Sequence, residues 1–311
     1  MQEDRIPVII VFGPTAVGKT AFLLNLSKTA EIINLDSLQV YKYMDIGTAK
    51  PDSDIRERIK HHLVDFLEPD REFGAGDFCA AADALCSEIY SRGKVPVISG
   101  GNAFFLKSFI YGMPKAPKSN EKIRAVILSR LEKEGLEILA EELEKIDPDY
   151  LNKIGKNDSY RIARALEVWY TSGRPLSSYA IPDKEREQYD FLLIGLFRER
   201  EELYERINIR VDAMFDAGLY DEFLQLRAMG YDSASPGMGG IGYSEFFALD
   251  DNPSLSVDDI REKVKLNTRH YAKRQITFFR KLDNVYWENP ENSSIILKKV
   301  SFFLAGYGKN L

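Results

Sequence analysis

Along the first 112 residues the apolar positions fall into short, dense runs separated by amphipathic stretches. The runs at 8–12 (VIIVF), 32–35 (IINL) and 95–99 (VPVIS) are rich in β-branched residues and lack polar alternation. That pattern predicts strands covered on both faces, joined by helices, as in a parallel sheet. A segment rich in Pro, Gly and Lys at 112–120 then marks a boundary. Beyond it, "IRAVILSRLEKEGLEILAEELEKID" repeats its apolar residues at helical spacing, with many i,i+4 charge pairs. "DSYRIARALEVWYTSGRPL" predicts a second amphipathic helix, stopped by Gly173 and Pro175. Strand character returns in "FLLIGLF" at 191–197, and 200–230 and 258–281 read as further helices. A strand that recurs after a helical block implies an insertion, with the sheet completed afterwards. No internal repeat or low-complexity segment interrupts this order.

The turn after the first strand carries the first chemistry. "VFGPTAVGKT" at 11–20 fits G-x-x-x-x-G-K-[ST], a pattern that chance produces in roughly one chain in a hundred of this length. Its strand-then-helix context is the one such a loop needs. The backbone from Gly13 through Pro14, Thr15, Ala16, Val17 and Gly18 would turn its N–H groups on a phosphate. Lys19 would add a full charge and Thr20 would hold Mg²⁺. The fold class expected is therefore α/β: a P-loop NTPase-like parallel sheet core at 1–117 and 190–311, with an inserted all-helical subdomain at 118–189.

Composition narrows the setting. At 311 residues, 44% hydrophobic and 29% charged, the chain has the make-up of a globular protein of one large or two modest domains. The charged start and the absence of a run near 18 apolar residues predict neither a signal peptide nor a membrane span, hence a cytoplasmic location. Cys79 and Cys86 read as buried thiols in a reducing compartment. With no CxxC and three histidines, a zinc finger is not expected. His61, His62 and Asp65 make poor joint ligands, because adjacent residues diverge on any regular element. The net charge of −6 argues weakly against nucleic acid, so local clustering must decide.

A phosphate loop alone suggests an NTPase or kinase. Asp36 ends the second strand, where a Mg²⁺-holding carboxylate or a general base would stand. The residues after it, Ser37, Gln39, Tyr41, Asp45, Thr48 and Lys50, are unusually rich for a connecting loop, and ligands bind at the carboxyl ends of such strands.

Four stretches bring this sequence close to a known family: "GPTAVGKT", "DSLQVYKYMDIGTAKP" at 36–51, "GIGYSE" at 240–245 and "TRHYAKRQITFFR" at 268–280. "HHLVD", "ISGGNAFFL" and "YRIARALEV" add weaker matches in the same order. The chain resembles the tRNA dimethylallyltransferases, also called tRNA isopentenyltransferases, of the bacterial type without a C-terminal zinc finger. The resemblance implies transfer of a dimethylallyl group from dimethylallyl diphosphate to the exocyclic N6 amine of adenosine 37, beside the tRNA anticodon. The loop would then hold the diphosphate of a prenyl donor, together with Mg²⁺ and Arg210. Asp36 would be the general base, with Ser37, Leu38 and Gln39 lining the adenosine pocket. Asn102 stands where the family has Thr at the acceptor base, and Tyr160 where it has Gln; Asn can still donate and accept hydrogen bonds. The same resemblance assigns tRNA contacts to Arg124, to Tyr160, Arg161, Ile162, Ala163 and Arg164, and to Gly240, Ile241, Gly242 and Tyr243. It also assigns Lys273, Arg274, Gln275 and Arg280.

The residues give independent support for nucleic acid. The stretch "KLNTRHYAKRQITFFRK" at 265–281 holds six Lys or Arg and no acid, interleaved with Tyr271, Phe278 and Phe279. Phe278 and Phe279 read as core. The expected partners are the tRNA anticodon stem-loop and the prenyl donor, with no membrane and no obligate protein partner. Three rivals stand beside this reading: a small-molecule kinase, a nucleotide-driven RNA-binding switch, and prenyl transfer to a free adenine nucleotide.

Overall fold

A computed structural model of the chain describes residues 5–26, 29–180, 182–252 and 254–309. The chain divides into two compact units, one of Met1–Ile110 with Arg186–Leu311 and one of Tyr111–Glu185.

The first unit is built on six parallel strands: β1 (Ile6–Phe12), β2 (Ala30–Leu35), β3 (His61–His62), β4 (Val95–Gly100), β5 (Tyr189–Leu196) and β6 (Tyr286–Glu288). Their order across the sheet is β3-β2-β4-β1-β5-β6. The apolar runs of β1, β2 and β4 are buried almost throughout, because helices cover both faces. The loop-bearing β1 lies between β4 and β5, in register at Ile9 with Val97 and Leu192. β3 and β6 were not expected from the sequence; at two and three residues they are too short to show a period. The region 200–230 is two helices, Arg200–Asp216 and Leu219–Ala228, parted at Gly218 with φ +96°. Under the loop, Phe12 packs on Phe279 at 5.0 Å and on Trp287 at 5.7 Å between ring centres. Gly195 lets Trp287 lie flat on β5, since a Cβ there would stand 2.5 Å from the indole.

His62 has a structural partner. Its Nε2 lies 2.6 Å from the buried Glu31 carboxylate, which Arg92 and Lys94 also reach at 2.8 Å. Burial pushes the Glu31 pKa up, but hydrogen bonds from Lys94 and His62 and the charges of Lys60 and Lys94 bring it down to about 2. Among the described residues no group of three or more His, Cys, Asp or Glu could hold a metal ion. Cys86 is buried and Cys79 half-buried. Among the described residues no helix is long and apolar enough to cross a membrane.

The second unit is helical: Glu121–Glu134, Leu136–Ile146, Pro148–Ile154 and Ser159–Ser172. Gly135, at φ +88°, splits what reads in sequence as one helical passage. Ile127, Leu139, Leu143, Leu151, Ile162 and Leu166 form its core. Glu167, also buried, accepts from Ser119 Oγ at 2.6 Å and from the Asn120 N–H. Arg164 pairs with Glu167 at 2.9 Å and donates to the Pro117 carbonyl. Arg164 thus ties the 117–120 segment to its own helix.

Candidate active site

The phosphate loop owes its shape to sterics at β1 and β5. A Cβ on Gly13 would stand 2.6 Å from the Leu196 carbonyl oxygen, so only glycine lets the chain leave the sheet there. Gly18 (φ +112°) and Ala16 (φ +62°) complete the turn into the helix Lys19–Leu23. Cations hold the loop carbonyls. Lys19 Nζ donates to Gly13 O at 3.0 Å and Pro14 O at 2.9 Å; Arg206 Nε donates to Ala16 O at 3.0 Å, and Arg198 Nε to Val17 O at 2.9 Å. With these carbonyls held, the loop can turn amides other than those of Thr15 and Val17 toward an anion.

Gln275 braces the loop from another side. Its Oε1 accepts the Thr15 N–H at 2.9 Å, and its Nε2 donates to Gly101 O at 2.8 Å. Gln275 is 2% exposed, so its side chain joins two loops of the site and does not face outward. Arg210 Nη1 donates to Thr15 Oγ1 at 3.3 Å.

Asp36 sits just past β2. Its Oδ1 accepts the N–H groups of Leu38 at 2.9 Å and Gln39 at 3.3 Å. Among the described residues none hydrogen-bonds its Oδ2. Gln39 in turn donates through Nε2 to Thr48 O and Ala49 O, at 3.1 and 3.2 Å, and so closes the loop on itself.

These groups line one cavity of about 510 Å³. Lys19, Thr20, Arg206 and Arg210 contribute to its wall, as do Asp36, Gln39, Gly101, Tyr271 and Gln275. Ile32, Asn34, Ser99 and His61 form the part over the sheet. The charges feel one another. Lys19 is brought down to about 7 by burial and then by Arg210, with Asp36 opposing. Burial also lowers Arg210, and Asp36 again opposes. The Tyr271 hydroxyl is raised by burial and by Asp36. His61 is lowered by burial, while its Nδ1 contacts Ile59 O at 2.8 Å.

Other expected site residues lie elsewhere. Asn102 caps the helix Ala103–Tyr111: its Oδ1 accepts the N–H groups of Phe104 and Phe105, both at 3.1 Å. Asn and Thr are both good N-caps, which accounts physically for the exchange. Lys273, Arg274 and Arg280 are exposed, on the helix Val257–Phe279 or at its end. Phe279 is buried and Phe278 half-buried. Tyr243 is fully buried, and Gly240, Ile241 and Gly242 precede it in a turn. In the helical unit, Tyr160 is 69% exposed and Arg161 is exposed beside Asp158, whereas Ile162 is core. Ala163 packs against that core, and Arg124 lies on the helix Glu121–Glu134. RNA contact at Ile162 or Tyr243 would have to come through the backbone. Arg198, Arg206 and His61 were not foreseen as site residues. The one-turn spacing of Arg206 and Arg210 was a usable signal; Arg198 had none.

A glycine loop at the end of a parallel strand, backed by cations and sharing a cavity with a carboxylate, defines an enzyme of the P-loop fold that handles a phosphorylated substrate. The profile described as IPP transferase matches residues 39–282. The tRNA dimethylallyltransferase of Borreliella afzelii is 42% identical over 94% of this chain and 97% of its own. That of Acetivibrio thermocellus is 40% identical over 97% and 98%. Among solved structures, the full-length tRNA isopentenylpyrophosphate transferase of Bacillus halodurans superposes with a TM-score of 0.70 at 32% identity, covering 97% of this chain and 98% of that one. A eukaryotic dimethylallyltransferase acting on tRNA gives 0.77 at 27% identity, covering 94% and 78%. The chain belongs to the IPP transferase family.

Proposed function

We propose that the protein transfers a dimethylallyl group from dimethylallyl diphosphate to the N6 amine of adenosine 37 in tRNA, and that it does so in the cytoplasm. The observation that carries this reading is the shared cavity, where Lys19 and Arg210 stand within electrostatic reach of Asp36. The diphosphate lies on the loop amides with Lys19 and Arg210. As the allylic C1–O bond breaks, its electron pair passes to the diphosphate. The charge that grows there meets groups already aimed at it, so binding is strongest in the transition state. The N6 lone pair, delocalised into the purine, makes a weak nucleophile. Asp36 orients the amine through Oδ2 and takes its proton as the C1–N6 bond forms. Leu38 and Gln39, holding Oδ1, keep the carboxylate in place.

Thr20 presents a hydroxyl on the cavity wall, a hard oxygen donor of the kind Mg²⁺ accepts beside phosphate oxygens. Held there, Mg²⁺ would neutralise part of the leaving group's charge. The acceptor base leaves the anticodon-loop stack to enter the cavity, and Ser37, Leu38 and Gln39 meet it. Lys273, Arg274 and Arg280 give tRNA phosphates an exposed basic face. Arg124, Tyr160 and Arg161 serve tRNA from the helical unit.

The test mixes the protein with Mg²⁺, labelled dimethylallyl diphosphate and an unmodified tRNA bearing adenosines 36 and 37, beside an Asp36→Ala variant. Label in the tRNA, lost in the variant, is the expected result. Label absent with folded protein and bound tRNA would overturn the reading and return attention to phosphoryl transfer from ATP.

A further inference from the structure

The loop that follows β2 does not keep its shape by local preference. Tyr43 (φ +65°) and Ala49 (φ +48°) both sit in the left-handed region, where side-chain-bearing residues are strained. Something must over-determine the conformation, and the structure contains it. Glu222, in the first turn of the helix Leu219–Ala228, is nearly buried. Its Oε2 accepts the N–H groups of Asp45 at 2.9 Å and Ile46 at 2.8 Å. Its Oε1 accepts the Gly47 N–H at 3.2 Å and the Tyr243 hydroxyl at 2.6 Å. Four donors fill the carboxylate's acceptor capacity.

The glycine-rich turn before Tyr243 presses on the same loop. A Cβ on Gly240 would meet Leu38 Cδ1 at 2.4 Å, and one on Gly237 would meet Met44 Sδ at 2.9 Å. Gly47 in turn lies on the Tyr243 ring, where a Cβ would stand 2.5 Å away. The contacts run on through the loop. Gln39 holds Thr48 and Ala49 by their carbonyls, and the Gln39 N–H holds Asp36. Neither Glu222 nor Tyr243 lines the cavity.

We infer that Glu222 and Tyr243 are positioning residues for the acceptor side of the reaction: they set the loop that carries Asp36 and Gln39 and leave donor binding alone. The inference rests on the function proposed above. In Glu222→Gln an amide N–H₂ replaces one oxygen and faces donors it cannot accept. Tyr243→Phe removes one of the four bonds and keeps the ring.

Two measurements decide it. The first is steady-state transfer with each substrate varied in turn. Expected is a KM for tRNA raised about tenfold in Glu222→Gln and about threefold in Tyr243→Phe, with the KM for dimethylallyl diphosphate within about twofold of the parent. The second is amide hydrogen exchange on the free protein, which reads the clamp without any transfer. The amides of 38–47 should exchange faster in both variants, and those of 13–20 should not change. Equal rises in both KM values, or no faster exchange at 38–47, overturns the inference. Failure of the unaltered protein to label tRNA overturns the proposed function instead, while exchange still decides the clamp. Should Glu222→Gln not fold, Tyr243→Phe carries both readouts.

Discussion

Lys19 has a pKa of about 7 against an ordinary 10.5, because burial and Arg210 disfavour its charge more than Asp36 favours it. At pH 8 only about one lysine in ten would carry its proton, and at pH 6 about nine in ten. A diphosphate binds the ammonium form, so binding must draw a proton in wherever the free enzyme lacks it. The expected uptake at Lys19 is about 0.9 proton at pH 8 and about 0.1 at pH 6, provided the anion lifts the bound-state pKa well above 8. Donor affinity should then fall by up to about tenfold per pH unit above 7. The sign follows from the protonated form being the binding form: affinity is full below the free-state pKa and is lost as pH rises through it. The assay is titration calorimetry of a non-reacting thio-diphosphate analogue at pH 6, 7 and 8, in buffers of different ionisation heat. The slope of observed heat against buffer heat counts protons. Lys19→Met removes the titrating group at similar length, so the difference between the two proteins cancels the analogue's own titration. No uptake at pH 8, or the same uptake in Lys19→Met, would refute the argument that burial holds this lysine near neutrality.

Three further outcomes are expected. Asp36→Asn keeps an oxygen for the Leu38 and Gln39 amides but cannot take a proton; transfer should fall about 10²- to 10⁴-fold in single-turnover assays at saturating donor. Gln275→Leu removes the acceptor of the Thr15 N–H and leaves the Gly101 carbonyl only the Tyr271 hydroxyl at 3.5 Å, at a cost of about 1–3 kcal/mol, read as a lower urea midpoint and a donor KM that rises more than the tRNA KM. Ile162→Ala should cost about 2–5 kcal/mol in the core of the helical unit, seen as an earlier unfolding phase of Trp169 fluorescence while the phase reported by Trp287 stays in place.

Much of the core was legible because strands buried on both faces leave dense apolar runs, and β1, β2, β4 and β5 are such strands. The helix at 159–172 ends where Gly173 predicts it, with that glycine in the left-handed region. β3 and β6 left no trace, since pairing across the sheet defines them and two or three residues carry no pattern. The loop at 11–20 and Asp36 were readable because their chemistry is local. The groups that shape the loop were not: Arg198, Arg206 and Gln275 act on it from 181 to 260 positions away, and nothing near them in sequence marks the target. Arg164 shows the converse. Its charge is plain in the sequence, but its partners, the buried Glu167 and the Pro117 carbonyl, emerge only in the fold.

The same distances bear on how the chain comes off the ribosome. β1 needs β5, at 189–196, as one of its two neighbours, and the loop carbonyls need Arg198 and Arg206. At synthesis rates of about 5–20 residues per second, roughly 10–40 s separate Gly18 from Arg198. For that interval β1, an interior strand of the sheet, has one edge open, and the anion loop lacks Arg198 and Arg206. The unit at 111–185 draws on contacts within itself and is complete before β5 appears. A nascent chain that has emerged from the ribosome only as far as residue 188 should therefore carry a folded helical unit and an unfinished sheet, with β1 exposed to chaperones until its late partner arrives.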